Sequence, residues 1–291
     1  MPTIETTLPM LPSRRQVIRE IGDSIRNGRS HIILGKPGVG KSHLANEICE
    51  ALALDESRYY HRLYFSYIPA PLTSERAEKI KSNGKYVIVD DHDEEIIENV
   101  LPRLVERGVP FLSFHPPARE MDYRRKFGES IGISIFPPAE SEEFLQCGFL
   151  SEFSMEGRQQ LFQLSGGNYR VTEYMLAPDF RPFEMTKIVM RACAGESLDE
   201  QSLRTLVSWR MISSIFINLF ERNIKEDIQQ IDPYPLVWDE FIQIGEQKRS
   251  AYLRLLRYGV LAADPETRTI GFRGRLLKSF ASTYLMGGTV G

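Results

Sequence analysis

The sequence has little cysteine, and it has no large excess of charge of either sign. Its 291 residues include only 3 cysteines, Cys49, Cys147 and Cys193, and these are isolated from one another. Neither a metal-binding spacing nor a disulfide framework is present, which suits a reducing cytoplasm. The formal net charge of −3 excludes a basic nucleic-acid coat over the whole chain.

Long hydrophobic runs are also missing. The most apolar helical stretch, residues 211–220, is short and is interrupted by serine and asparagine, so we expect no membrane partner. The first residues carry three prolines and lack the apolar core of a signal peptide. With 42% hydrophobic and 26% charged residues, the composition is that of an ordinary globular protein with space for two domains.

The most informative motif is a phosphate-binding loop of the form G-x-x-x-x-G-K-S. It consists of Gly35, Lys36, Pro37, Gly38, Val39, Gly40, Lys41 and Ser42, and His43 follows it. The glycines allow a tight turn whose N–H groups face phosphate oxygens. Lys41 is expected to reach the β- and γ-phosphates, and Ser42 to ligate Mg²⁺. An apolar strand over 31–34 and a helix over 43–54 flank the loop, as the motif requires.

A second acidic element is expected for the magnesium ion. The apolar run 86–89 reads as a strand buried on both faces, and it ends in Asp90 and Asp91. Asp90 would hold the metal through water, and Asp91 would polarise the attacking water as general base. Asp91 is shorter than the more usual glutamate, which favours slow hydrolysis. The alternative is that both residues only cap the helix that follows.

Strand and helix patterns alternate over the first half of the chain. Strands are predicted at 31–34, 59–68, 86–89, 109–114 and 131–136, with helices between them. This order predicts an α/β fold with a five-stranded parallel sheet, ending at Pro137-Pro138. The remainder is predicted to be helical, with long helices over 199–227 and 238–258. A β-hairpin over 261–263 and 269–272 and a helix over 276–285 follow, which favours a C-terminal winged helix-turn-helix.

Four stretches together resemble the AAA+ ATPases, and within them the clade of replication initiators and helicase loaders. They are the phosphate loop, the strand ending in Asp90-Asp91, the segment 112–138, and Gly167-Asn168-Tyr169-Arg170. The resemblance covers roughly residues 11 to 177. It implies ATP and Mg²⁺ as cofactors, hydrolysis of ATP to ADP and phosphate, and an ATP-dependent homo-oligomer. Together with the strand and helix pattern, it predicts a nucleotide-binding domain over 1–138, a helical lid over 139–180, and a helical and winged-helix domain over 181–291.

The resemblance assigns roles to side chains around the phosphates. Arg170 would be the sensor 2 residue, reaching from the lid to the γ-phosphate. The position of sensor 1 holds Phe114, so the role would fall to its neighbour Ser113 or His115. The alternatives are a surface arginine at the start of a helix for Arg170, and a surface histidine for His115.

Two further roles follow from the same resemblance. The position of the arginine finger, which completes a neighbouring subunit's site, holds Lys126, with Arg124 and Arg125 adjacent. A solvated basic turn is the alternative. Leu11, Pro12 and Val17 would pack on the adenine base; the alternative is a packed N-terminal helix without that role.

The C-terminal region carries a local positive charge. Residues 245–285 hold eight Lys or Arg and three Asp or Glu, an excess of +5. The candidate DNA contacts are Arg249, Arg254, Arg257, Arg268, Arg273, Arg275 and Lys278. These predict an ATPase that acts on double-stranded DNA, of initiator, loader or transposition-regulator type. The alternative is a STAND-like signalling or defence ATPase whose winged helix binds protein, with the basic residues as solvated faces.

Overall fold

The computed structural model describes residues 14–54, 59–63, 74–82, 85–89, 100–115, 120–177, 181–219 and 222–285. Contacts divide the chain into two units. The sheet unit comprises Gly40–Phe136 and the described residues up to Lys36. The helical unit comprises the described residues from Pro137 onwards together with Pro37–Val39.

The sheet unit is a mixed α/β unit with a parallel sheet, as the sequence predicts. Its strands are β1 (His31–Leu34), β2 (Tyr59–Leu63), β3 (Lys85–Val89), β4 (Phe111–His115) and β5 (Gly132–Ile135). All neighbours pair in parallel, in the order β2-β3-β4-β1-β5. Every residue of β1 is buried, because a strand in the interior of a parallel sheet is covered on both faces.

One helix precedes β1, and the others lie between consecutive strands in sequence. They are α1 (Arg14–Arg26), α2 (Lys41–Leu54), α3 (Ser74–Ser82), α4 (Leu101–Glu106) and α5 (Glu120–Phe127). One hydrophobic cluster joins the apolar side chains of β1 and β3 to Leu101 and Leu104 of α4 and to Tyr123 and Phe127 of α5. The strand–helix order thus lets α4 and α5 bury apolar side chains on the sheet.

Several element boundaries differ from the predicted ones. Helix α2 begins at Lys41, inside the glycine motif, and not at residue 43. Strand β4 begins after Pro110, which has no N–H to donate, and it includes His115. Residues 64–68 of the predicted second strand, and the start of the helix predicted between the third and fourth strands, lie outside the described residues.

The helical unit contains ten helices, a short 3-10 segment, a π-helical turn and a small sheet within its described residues. The helices are α6 (Ser141–Leu145), α7 (Met155–Ser165), α8 (Tyr169–Leu176), α9 (Phe183–Cys193), α10 (Glu200–Ser208), α11 (Arg210–Leu219), α12 (Arg222–Ile228), α13 (Trp238–Gln243), α14 (Glu246–Arg257) and α15 (Arg275–Phe280). A single hydrophobic cluster extends from Ala139 to Ala281. The division of this part near residue 180 stays a prediction, since residues 178–180 are not among those described.

The sequence predicts two long helices in this unit, and both predictions are wrong. The segment 199–227 forms α10, α11 and α12, and α10 is followed by Trp209, whose ψ of 123° is extended. The segment 238–258 forms α13 and α14, which are separated by Ile244 and Gly245 with ψ near 150°. Each break lets two short amphipathic helices bury their apolar faces in the same core, which one straight helix cannot do.

A small antiparallel sheet lies near the end of the helical unit. Its strands are β6 (Leu236–Val237), β7 (Leu261–Asp264) and β8 (Thr269–Phe272), in the order β6-β8-β7. The hairpin of β7 and β8 confirms the sequence prediction, and Asp264 accepts hydrogen bonds from the N–H groups of Glu266 and Thr267 at its turn. Strand β6 has two residues, too few for a periodic signal.

The final helix also differs from its prediction. It is α-helical only over Arg275–Phe280 and continues as a π-helical turn over Ala281–Leu285. No helix in the described part of the chain combines the length and apolar character that crossing a bilayer requires.

A buried polar chain fixes α1 to the start of the sheet. The Ser134 hydroxyl donates to Glu20 at 2.6 Å and lies 2.9 Å from Nε2 of His31, while Nδ1 of His31 lies 2.8 Å from the Ser24 hydroxyl. These contacts suit a neutral imidazole that donates from Nε2. Burial lowers the pKa of His31 to about 4, and the charge of Glu20 opposes this shift in part.

The lowered pKa of His31 predicts a loss of stability in mild acid. Its ordinary value is 6.5 and its folded value about 4, so between these pH values the unfolded chain binds more protons than the folded chain. The stabilisation is complete above pH 6.5 and is lost as pH falls towards 4, by about 3 kcal/mol. We expect urea denaturation between pH 4 and 7 to show this extra loss in the wild type relative to His31→Gln. Parallel stability curves would contradict the assignment.

Candidate nucleotide-binding site

The candidate site begins at the turn between β1 and α2. Gly38 and Gly40 have φ of +82° and +94°, values that residues with a Cβ rarely adopt. The N–H of Gly35 donates to the carbonyl of His115 at 2.9 Å, so the start of the loop is anchored to β4. The loop then enters α2, a helix of 14 residues, whose positive end lies at the motif.

Lys41 lies inside its own loop. Its side chain is buried, and Nζ donates to the carbonyls of Gly35 at 2.5 Å and Lys36 at 2.9 Å. An ammonium group beside backbone N–H groups is a set of donors from which phosphate oxygens accept hydrogen bonds. The chemistry of this donor set therefore fits a phosphate group.

The remaining loop residues differ in exposure. Lys36 and Val39 are buried, whereas Ser42 and His43 are exposed in the first turn of α2. The His43 imidazole lies 3.4 Å from the Glu47 carboxylate one turn further on. Ser42 is therefore at the surface of the helix start, where a metal ligand is accessible, and its role stays a prediction.

Strand β4 places two predicted residues together. Ser113 and His115 lie on the same face of the strand, both fully buried, and the Ser113 hydroxyl is hydrogen-bonded to Nε2 of His115. The His115 ring is 5.1 Å from that of Tyr123. The alternative interpretation, in which His115 is a surface histidine, is therefore wrong. In the register, Ser113 is opposite Val89 of β3 and His115 opposite Leu34 of β1.

Asp90 and Asp91 lie outside the described residues, as do Leu11 and Pro12. The strand that precedes the two aspartates, β3, is described and pairs with β4. Because parallel strands end at the same edge of a sheet, β1, β3 and β4 present their carboxyl ends together. Val17, the third residue predicted to contact adenine, is fully buried in α1.

The three basic residues of α5 have different surroundings. Arg124 donates to the Glu120 carboxylate at 2.7 Å, and Glu120 is only 2% exposed. Arg124 therefore neutralises a buried carboxylate, a role that the sequence analysis missed, although the i to i+4 spacing of the pair could have indicated it. Arg125 and Lys126 are exposed. Among the described residues, Arg125 makes no hydrogen bond or ion pair.

Arg170 is the second residue of α8, and its side chain is exposed. Within the described ranges it forms no hydrogen bond or ion pair. The residue two positions earlier, Asn168, is buried and donates from Nδ2 to the carbonyl of Pro37 at 2.9 Å. The sequence indicated Asn168 only as a helix start, since a contact over 131 residues leaves no local signal.

Most of the C-terminal basic residues contact other parts of the helical unit. Arg254 makes two hydrogen bonds with Asp227, at 2.8 and 2.6 Å, and Lys248 makes one with Asp232 at 2.6 Å. These bonds raise the pKa values of Arg254 and Lys248. Arg268 donates to Asp239 at 3.0 Å. These acidic partners lie before residue 245, so they are not part of the segment 245–285, whose excess charge is +5.

Three more basic side chains bind backbone carbonyls. Arg249 donates to Ile242 and Ile244 at the break between α13 and α14. Arg273 donates to Gly166 and Ala139, and Arg275 to Leu198. Lys278 lies over the ring of Tyr234 at 5.8 Å. The predicted DNA-contacting set is thus largely used in holding the unit together.

Comparisons with known proteins give structural likenesses only. No protein-family model matches the chain, and no curated protein matches it. The chain is similar to Cdc6p from Pyrobaculum aerophilum, with 13% identity over 98% of this chain and 97% of that one, and a TM-score of 0.42. It is similar to a STAND protein with a tetratricopeptide repeat sensor from Pyrococcus horikoshii, with 12% identity, 97% and 44% coverage, and a TM-score of 0.39.

A third similar structure is Drosophila ORC bound to DNA, with 12% identity, 96% coverage of both chains and a TM-score of 0.35. These are proteins of the kinds that the sequence resembles. Since all three TM-scores lie below 0.5, the function of this chain is argued from its own residues.

Proposed function

We propose that the chain is an ATP-binding and ATP-hydrolysing molecular switch of AAA+ type that uses Mg²⁺. The observation that supports this most is the loop itself. Two left-handed glycines, a buried lysine bonded to loop carbonyls and a helix start at that lysine form the arrangement that holds a triphosphate.

The chain's residues divide the chemistry among them. Lys41 binds the β- and γ-phosphates, and Ser42 and Asp90 hold the metal ion. Bound Mg²⁺ would neutralise charge on the phosphate oxygens. Asp91 orients and deprotonates the attacking water, and the buried pair of Ser113 and His115 is the candidate sensor of the γ-phosphate.

Two arginines link this chemistry to conformation and to assembly. Arg170, exposed and without a hydrogen bond or ion pair in the described structure, is the candidate for contact with the γ-phosphate. Of the three candidates for the arginine finger we favour Arg125, since Arg124 is bound to Glu120. Lys126 is less suitable because an ammonium cannot donate two parallel hydrogen bonds to phosphate as a guanidinium can. A finger of this kind acts in a homo-oligomer formed in ATP. Loss of the γ-phosphate would then release both contacts.

We further propose that residues 222–272 form a winged helix. The element order α12, β6, α13, α14, β7, β8 and the sheet order β6-β8-β7 support this. Helix α14 would be the recognition helix and the β7–β8 turn the wing.

The charges of this region favour a protein partner over DNA. Residues 222–272 contain seven Lys or Arg and eight Asp or Glu, a net charge of −1. On α14, Lys248 and Arg254 are paired with Asp232 and Asp227. A face whose cations are already neutralised gains little from releasing counterions on DNA. We therefore favour the STAND-like alternative, in which the winged helix binds protein.

DNA remains the second candidate partner, and exposed cations support it. Arg257 on α14 and Arg268 beside the proposed wing are both exposed. The Arg268 pair with Asp239 is a surface pair, which a phosphate group can replace at little cost.

Replacing the loop lysine tests nucleotide binding. Lys41→Ala removes an ammonium that is buried against the loop carbonyls, and we expect the affinity for a fluorescent ATP analogue to fall about a hundredfold. Lys187→Ala is the matched control, because Lys187 is exposed on α9. Equal affinity of Lys41→Ala and the wild type would contradict the assignment of the loop.

Mixed oligomers test the arginine finger. Arg125→Ala should lower ATP turnover about a thousandfold, because the cation that stabilises the transition state is lost. Mixing it with Asp91→Asn subunits should restore part of the turnover, since each variant supplies what its neighbour lacks. Arg204→Ala, which removes an exposed arginine of α10, serves as the control and is expected to retain turnover. A mixture with no recovery would argue against a site shared between subunits.

Light scattering after gel filtration distinguishes the two candidate partners. We expect larger particles in ATP than in ADP, and no complex with duplex DNA at either low or moderate salt. A DNA complex whose affinity falls steeply with salt would instead support the DNA-acting switch. Lost binding in Arg257→Ala and Arg268→Ala would then place the contact on the proposed winged helix.

A further inference from the structure

Asn168 occupies an unusual position, because one side chain serves two separate backbone segments. Its Oδ1 accepts from the N–H of Val171 at 3.1 Å and caps α8. Its Nδ2 donates to the carbonyl of Pro37 at 2.9 Å. Asn168 is only 7% exposed. Both polar atoms of its buried side chain are therefore hydrogen-bonded within the protein.

A second hydrogen bond reaches the neighbouring loop residue. The N–H of Tyr169 donates to the carbonyl of Gly38 at 2.9 Å. The packing is close, since a Cβ built on Gly38 would lie 2.1 Å from Oδ1 of Asn168 and 2.7 Å from Cβ of Arg170. Gly38 therefore serves two purposes, a left-handed turn and direct contact with the start of α8.

These two bonds also fix the orientation of two N–H groups in the loop. A trans peptide unit is planar, and its C=O and N–H point in opposite directions. The structure contains no cis peptide bond among the described residues. Because the carbonyls of Pro37 and Gly38 face α8, the N–H groups of Gly38 and Val39 face away from it. Such N–H groups are the ones that a phosphate loop offers to its ligand.

We propose that Asn168 is a positioning residue for the phosphate loop, which holds the peptides after Pro37 and Gly38 in their phosphate-binding orientation before nucleotide arrives. This inference rests on the proposed function. Its expected consequence is a higher nucleotide affinity, because a ligand that meets an ordered loop loses less free energy in ordering it.

The segment that carries Asn168 is itself held firmly. Arg273 donates to the carbonyl of Gly166 at 3.0 Å, and the N–H of Ala139 donates to that of Gly167 at 3.3 Å. A Cβ on Gly166 would lie 2.4 Å from the carbonyl oxygen of Arg273. Asn168 thus follows a turn that is fixed by direct backbone contacts, as a positioning residue requires.

The test needs a variant that keeps the helix cap and loses the loop contact. Asn168→Ser meets this requirement, because serine caps helices about as well as asparagine but is too short to reach Pro37. Asn168→Asp also keeps the cap and turns a carboxylate towards the Pro37 carbonyl. The matched control is Ser154→Ala, which removes the cap of α7, where Ser154 accepts from the N–H of Gly157 at 3.2 Å.

Three measurements are compared, namely the affinity for fluorescent ADP, the nucleotide-free thermal midpoint, and hydrogen exchange of residues 35–42 without nucleotide. We expect Asn168→Ser to bind about fivefold more weakly, with faster exchange in the loop and an almost unchanged midpoint. Asn168→Asp should bind more weakly still. Ser154→Ala should lower the midpoint and leave affinity and loop exchange unchanged.

The outcomes separate this inference from the function on which it rests. Wild-type binding that is lost in Lys41→Ala but unchanged in Asn168→Ser would overturn the positioning role alone. Weaker binding in Asn168→Ser with unchanged loop exchange would also overturn it. No nucleotide binding by the wild type would overturn the proposed function, and this inference with it.

Discussion

The turn between β1 and α2 is the constraint on which the candidate site depends. Gly38 and Gly40 hold backbone conformations that are strained for any residue with a Cβ, and the chain between them must reverse within a few residues. This reversal brings Lys41 back to the carbonyls of Gly35 and Lys36. The turn therefore places an ammonium group beside backbone N–H groups, a set of donors that suits phosphate oxygens.

Two buried carboxylates among the described residues are paired with arginines of the same chain. Glu120 is paired with Arg124, and Asp227 with Arg254, while His31 stays neutral because burial lowers its pKa to about 4. In the two ion pairs, a nearly inaccessible carboxylate is matched by a half-exposed guanidinium. A count of basic residues in one segment therefore overstates the charge that the surface offers to a partner, since the compensating carboxylates lie earlier in the chain.

Features that depend on residues close together in sequence could be predicted from the sequence. The glycine motif, the apolar strand runs and the hairpin over 261–272 each depend on neighbours in sequence, and the structure has them with small shifts of boundary. The breaks at Trp209 and at Ile244-Gly245 could not be predicted, because tertiary burial decides where an amphipathic helix bends. The same reason applies to Asn168 and Arg273, whose partners lie more than 100 residues away.

Within the helical unit, the contacts of Asn168 connect the phosphate loop to the C-terminal hairpin by short steps. Asn168 follows Gly166-Gly167, and Gly166 is in contact with Arg273 and Gly274, directly after β8. The same unit has one hydrophobic cluster from Ala139 to Ala281. Close-packed interiors transmit displacement because they leave little space to absorb it. A displacement of the carbonyl of Pro37 would therefore reach the end of β8 through Asn168, Gly166 and Arg273, without the need for a flexible tether.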